Sequence, residues 1–157
     1  ILSGIWNRAD HVPSYVRQFC GGMRLKSLTR LDLSHNKLGD EGVEHVAQAP
    51  WLGQLDALNL AHNDLGDKAA KHLAQSPYVH HLQQLDLRHN TIREGGAKAL
   101  ADSEQFGRMH GLLLRSNPVR TEGGVALAQS KWVAASERLA WERLPWVARH
   151  LNGVAED

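Results

Sequence analysis

The sequence predicts an α/β solenoid, in which parallel strands lie side by side and each is followed by a loop, a helix and a return segment. Three observations carry that prediction. Four segments align without a gap: LTRLDLSHNKL from Leu28, LDALNLAHNDL from Leu55, LQQLDLRHNTI from Leu82 and MHGLLLRSNPV from Met109. Their asparagines Asn36, Asn63, Asn90 and Asn117 are spaced 27 residues apart. Within each segment, leucines two apart (Leu31 and Leu33, Leu58 and Leu60, Leu85 and Leu87, Leu112 and Leu114) point to one face of a sheet. Behind each segment the apolar spacing turns helical, in Val43-Val46-Ala47, Ala70-Leu73-Ala74, Ala97-Leu100-Ala101 and Gly124-Leu127-Ala128. A unit this short cannot bury its apolar face alone and stacks on its neighbours. Strand, loop, helix and return bring the next strand in parallel, about 4.8 Å away.

Residues 1–27 are a worn first unit. Stepping back by one period puts Ile1, Gly4, Trp6, Ala9 and His11 at the motif positions, without the asparagine, while Val16, Phe19 and Cys20 keep the helical face. Cys20 reads there as a small buried hydrophobe, with no fixed cation beside it to activate the thiol. Regular units run 28–54, 55–81, 82–108 and 109–135. Asp40, Asp67, Glu94 and Thr121 recur just before the helices, where aspartate and threonine suit capping of free N–H groups. Pro50-Trp51, Pro77-Tyr78, Phe106 and Trp132 recur in the returns and fill the space between a helix and the next strand.

After Ser130 the pattern degrades, and 136–157 reads as a C-terminal cap. Ser136, Leu139, Trp141, Leu144 and Trp146 fall at motif positions, with Trp141 and Trp146 as plugs over the last unit. The alternative is one longer helix from Lys131 to Leu144, stopped before Pro145. The whole chain, 1–157, is expected to be a single domain. It starts at Ile1 and stops partway through a unit, so it is expected to be a piece of a longer protein.

The asparagine column has a physical cause. Where the chain leaves a strand, backbone polar groups have no ladder partner, and an asparagine amide offers both a donor and an acceptor. Leucine offers neither. Asn36, Asn63, Asn90 and Asn117 are therefore expected to be structural.

Composition narrows the function classes. A formal net charge of +1 gives no global field toward nucleic acid or an anionic membrane. No apolar run approaches the ~18 residues of a membrane span. Neither nucleic acid nor membrane is expected as a partner. One cysteine excludes an internal disulfide framework, and no Asn-x-Ser/Thr acceptor occurs; both point to a reducing, cytoplasmic setting. There is no GxxxxGK[ST] loop, HExxH, paired CxxC or GxSxG elbow. Gly21-Gly22 and Gly95-Gly96 fit turns and helix starts, and the dispersed carboxylates suggest no acid/base pair. No enzymatic activity, cofactor or metal is expected.

The LxxLxLxxNxL motif with a GDEGVEHVA-like helix behind it resembles the leucine-rich repeat family, in its ribonuclease-inhibitor-like subclass, from roughly Leu25 to Ser130. The resemblance implies a curved, right-handed solenoid with the parallel sheet on the concave side and helices on the convex side. It also implies binding of another protein, most often through the concave face. In that frame the outward columns are Arg30, Ala57, Gln84 and Gly111; then Asp32, Asn59, Asp86 and Leu113; then Ser34, Ala61, Arg88 and Arg115. Arg30, Asp32, Asn59, Gln84, Asp86, Arg88, Leu113 and Arg115 are the candidate partner contacts.

Leu113, apolar where its column is otherwise polar, reads as a partner anchor or as packing against the C-terminal cap. Arg88 and Arg115, with Arg143, suit an acidic patch, or are a solvated set balanced by Asp86. His35, His62 and His89 precede the asparagines in a row about 4.8 Å apart. A row is poorly suited to a metal and better suited to a pH-sensitive partner contact. His45 and His72 read as helix surface. The leading expectation is a protein-binding module, monomeric as this piece. The alternative is a recognition or regulatory region of a larger signalling protein or enzyme, GTPase-activator-like or immune-receptor-like.

Overall fold

The computed structural model describes residues 12–22 and 27–132. The first-unit positions Ile1 to His11 and the cap residues Ser136, Leu139, Trp141, Arg143, Leu144 and Trp146 lie outside the described residues. Helix α1 (Val12–Gly22) is followed by β1 (Arg30–Asp32), α2 (Gly39–Ala47), a 3-10 turn (Pro50–Gln54), β2 (Ala57–Asn59) and α3 (Asp67–Gln75). Then come β3 (Gln84–Asp86), α4 (Glu94–Ala101), β4 (Gly111–Leu113) and α5 (Thr121–Gln129). The four strands form one sheet in chain order, every pair parallel. Their register follows the period: Leu31, Leu58, Leu85 and Leu112 lie abreast, flanked by Arg30–Ala57–Gln84–Gly111 and Asp32–Asn59–Asp86–Leu113.

The leucine pairs face the interior, and all eight are buried. Opposite them, Val43, Val46, Ala70, Leu73, Ala97, Leu100 and Leu127 close the core from the helix side. Burying a leucine contributes about 1.5–3 kcal/mol, and the chain stacks two per unit from the strand alone. Helices are about 10 Å wide and strands about 4.8 Å apart, so the stack bends with the sheet on the concave side. Small residues let the convex helices approach. A Cβ on Gly96 would lie 2.7 Å from Asp67 Oδ1 and 3.0 Å from Ala70 Cβ, and one on Gly123 would lie 2.9 Å from Ala97 Cβ.

Each unit also caps its neighbour's helix. Asp40 and Asp67, expected just before the helices, lie inside the first turns of α2 and α3, and the N–H groups they cap belong to the next unit. Asp40 Oδ1 accepts from Gly66 N (2.7 Å) and Ala69 N (3.1 Å) at the start of α3. Asp67 Oδ1 accepts from Arg93 N (2.7 Å) at the start of α4. The stacking places the carboxylate of one unit over the free N–H groups of the next, where the helix dipole also favours it. The opposite ends are tied in reverse: Ser76 Oγ donates to Ala47 O (2.5 Å) and Ser103 Oγ to Ala74 O (2.6 Å).

The returns are filled by the recurring aromatic residues. Trp51 is buried and meets Phe19 edge-on at 6.0 Å, and buried Phe106 meets Trp132 at 5.2 Å. Trp132 Nε1 donates to Leu100 O and Ala101 O, both at 3.1 Å. In α1, Val16 is buried, while Phe19 and Cys20 are half-buried against the core. Burial pushes the Cys20 thiol up to about 12, so it stays protonated and unreactive at neutral pH.

Candidate partner-binding face

The concave face is built from the side chains that alternate with the buried leucines. Arg30, Gln84, Arg88, Leu113 and Arg115 are exposed, while Asp32, Asn59 and Asp86 are half-buried. Together the strands line a groove of about 600 Å³, bordered by Arg30, Asp32, Asn59, Gln84, Asp86 and Leu113. His110 also lines it and was missed from sequence. It belongs to the first variable position of the motif, with Thr29, Asp56 and Gln83, where Gln83 Nε2 donates to Asp56 Oδ1 at 3.3 Å. That position lies just before the three-residue strands, so strand alternation gave no reason to place it in the groove.

The central polar column has a local task. Asp32 Oδ1 accepts from Ser34 N (2.9 Å) and Ser34 Oγ (2.7 Å), Asn59 Oδ1 from Ala61 N (3.0 Å), and Asp86 Oδ1 from Arg88 N (3.0 Å). A side chain that takes the N–H two residues on ends the strand there. Burial works against the Asp32 charge, but the hydrogen bonds from Ser34 and Asn59 win and hold its carboxyl below the usual range. This turn corrects the third column. Ser34 and Ala61, expected to face outward, are buried, because the chain has already left the strand. Leu113 sits in register with Asp86 and cannot make such a bond; it is 45% exposed.

Arg88 is not open to share an anion with Arg115. Its Nε and Nη2 grip Asp86 in a fork, with Nη2 to Oδ2 at 2.6 Å and Nε to Oδ1 at 2.9 Å. That carboxylate holds the guanidinium more firmly protonated. Arg115 occupies the equivalent place on the next unit and is exposed.

Below the strands, the asparagines form a ladder between units. Asn63 Oδ1 accepts from Asn36 N (2.9 Å) and Leu38 N (3.4 Å), while its Nδ2 donates to Leu33 O (2.9 Å) and Ala61 O (3.2 Å). Asn90 does the same for Asn63 N, Leu65 N and Leu60 O, and Asn117 Oδ1 accepts from Ile92 N at 3.0 Å. Asn36, Asn63 and Asn90 are buried, so their amides serve the backbone and not a ligand.

The histidines just before them are exposed and stacked. Ring centroids are 4.1 Å apart for His35–His62 and 4.2 Å for His62–His89, with interplanar angles of 14° and 10°. All three have left-handed backbones, with φ of 60°, 56° and 54°. Face-to-face rings do not bring their nitrogens to one point. Among the described residues no group of three or more His, Cys, Asp or Glu could hold a metal ion. On the helix side, His72 lies 4.0 Å from Glu44. None of the helices among the described residues is long and apolar enough to cross a membrane.

A model of the leucine-rich repeat family matches residues 24–47, 55–74 and 80–101. A search of curated proteins returns no match. Repeats of this family are generally protein-interaction modules and typically not enzymes. Three matched segments, together with a fourth unit of the same strand, loop and helix, fit a leucine-rich repeat α/β solenoid over the described residues.

Proposed function

We propose that this chain is a protein-binding module that holds a partner protein on the concave face of its solenoid. The observation that carries this is Leu113, an exposed leucine at the end of an otherwise polar column, on the border of a groove of about 600 Å³. An apolar side chain left in water where its counterparts make hydrogen bonds brings the fold no gain, and gives a partner an anchor. Gln84, Arg30 and Arg115 supply polar contacts around it, and Asp32, Asn59 and Asp86, held by their own turns, present a pre-organised floor. An α-helix in every regular unit favours the ribonuclease-inhibitor-like subclass. The single cysteine favours a reducing, cytoplasmic setting.

The test is affinity capture of a partner, followed by titration with Leu113→Ala, Arg115→Ala and Arg88→Ala. Leu113→Ala is expected to weaken binding by about 2 kcal/mol and Arg115→Ala by about 1 kcal/mol. Arg88→Ala is expected to do less, because its guanidinium is already committed to Asp86. Full binding by the triple variant would remove the concave-face assignment.

A further inference from the structure

A second exposed strip lies on the strand-exit loops, apart from the concave columns. It consists of the imidazoles of His35, His62 and His89, which with Lys37 and Asp64 line a shallow depression of about 220 Å³. The outer ring centroids are about 8 Å apart, from the two stacking distances of 4.1 and 4.2 Å. The rings are held there by left-handed backbones at three successive loops, an arrangement that costs a non-glycine residue roughly 1 kcal/mol or more each time. Histidine, like asparagine and aspartate, is enriched among the non-glycine residues that take that conformation.

Charge decides what the strip can take. As pH falls, each proton gained sets a cation about 4 Å from the next ring, beside Lys37 and Arg88, with Asp64 and Asp86 the facing carboxylates. For His62, between two rings, desolvation first and then the charges on His35 and His89 lower the pKa. A ligand that brings negative charge relieves this repulsion and by linkage pulls protons onto the stack. Side chains on one face of an extended peptide are spaced about 6.8 Å apart, so two of them fit within the strip's length. A net charge of only +1 disfavours a continuous phosphate backbone.

We propose that the His35–His62–His89 stack is a proton-gated docking strip for an extended acidic segment of a partner protein, its carboxylates bonding to imidazolium edges along the stack. This holds whether or not the concave face binds as described above, since none of the three histidines belongs to that face.

The test is fluorescence anisotropy of a labelled hexaglutamate peptide titrated with the full chain at low ionic strength. Binding at about pH 5.5 should be about tenfold tighter or more than at about pH 7.5. His35→Asn/His62→Asn/His89→Asn should abolish that difference, because asparagine tolerates the left-handed backbone but does not titrate. His45→Asn/His72→Asn, on the helices, should leave it intact. Melting temperature reports folding of each variant, and if the triple variant does not fold, His62→Asn alone should reduce the pH difference. The proposal is overturned by equal binding at the two pH values, by an unchanged pH difference in the folded triple or single variant, or by a single-stranded oligonucleotide binding the same histidines more tightly than the peptide. Leu113→Ala should leave peptide binding unchanged, which separates failure here from failure of the concave-face assignment.

Discussion

The units spanning residues 28–108 and the unit that starts at Met109 share a backbone but differ in what their equivalent positions do. In the first three, Asp32, Asn59 and Asp86 close the strand end, buried leucine or isoleucine (Leu38, Leu65, Ile92) follows the asparagine, and histidines stack over the loops. In the fourth, the same positions hold Leu113, Val119 and Ser116, of which Leu113 is exposed and Val119 half-buried. The asparagine position agrees in all four units, and the amides of Asn63, Asn90 and Asn117 bond across the stack.

The most damaging way to break this contrast is at the asparagine ladder. Asn63→Leu strands two backbone N–H groups and the carbonyls of Leu33 and Ala61 in a buried place. It should cost about 3 kcal/mol, read as a lower urea midpoint at unchanged slope. Asn117→Leu, at a half-buried position, should cost about half as much. Equal losses would mean that the fourth unit is bound into the ladder as firmly as the others. Next in size is Asp40→Ala, which uncaps α3 in the neighbouring unit and should cost about 1 kcal/mol. Glu94→Ala should stay within about 0.5 kcal/mol. Amide exchange at Ala69 should quicken in the Asp40 variant, and unchanged exchange there would refute capping between units.

The fold was legible because a strict period leaves no freedom. Once Leu31 and Leu33 repeat at a step of 27, sheet, helix and parallel register follow from stacking identical units. What could not be read was anything set by contact between units or by where a strand stops. Asp40 looks like a cap for its own helix when the helix is considered alone; only the stack brings it over α3. Ser34 and Ala61 looked outward because alternation was carried two residues too far, past the turn that Asp32 and Asn59 close. Of the candidate face, the columns could be written from spacing, but the fork from Arg88 to Asp86 and the near-parallel rings depend on dihedral angles that spacing does not contain.

Leu113→Asp sharpens the comparison by making the fourth unit resemble the others. The carboxylate should accept from the N–H of Arg115, as Asp86 does from Arg88. Stability should then rise by up to about 0.5 kcal/mol, seen as a higher urea midpoint. Partner binding should fall at least as far as in Leu113→Ala, because a charge replaces the anchor. A variant that is more stable but binds less well would assign Leu113 to recognition; one that loses stability would assign it to packing.

The smallest effect is on the pH dependence of folding. His62 has a folded pKa below its ordinary value of 6.5, first from desolvation and then from the charges on His35 and His89. The unfolded chain therefore binds the proton more readily than the fold does. The contribution of His62 is complete above the unfolded value and is lost as pH falls from there through the lower folded pKa. The chain should accordingly show a slight drop in urea midpoint on acidification below about 6.5, and His62→Asn should flatten that limb without moving the neutral plateau much. In the fourth unit the stack ends at Ser116, so Ser116→His should steepen the acid limb by adding one more ring to the repulsion. An acid limb identical in the wild type, His62→Asn and Ser116→His would mean that the rings titrate as independent surface groups, and that the difference between the last unit and the rest has no electrostatic consequence.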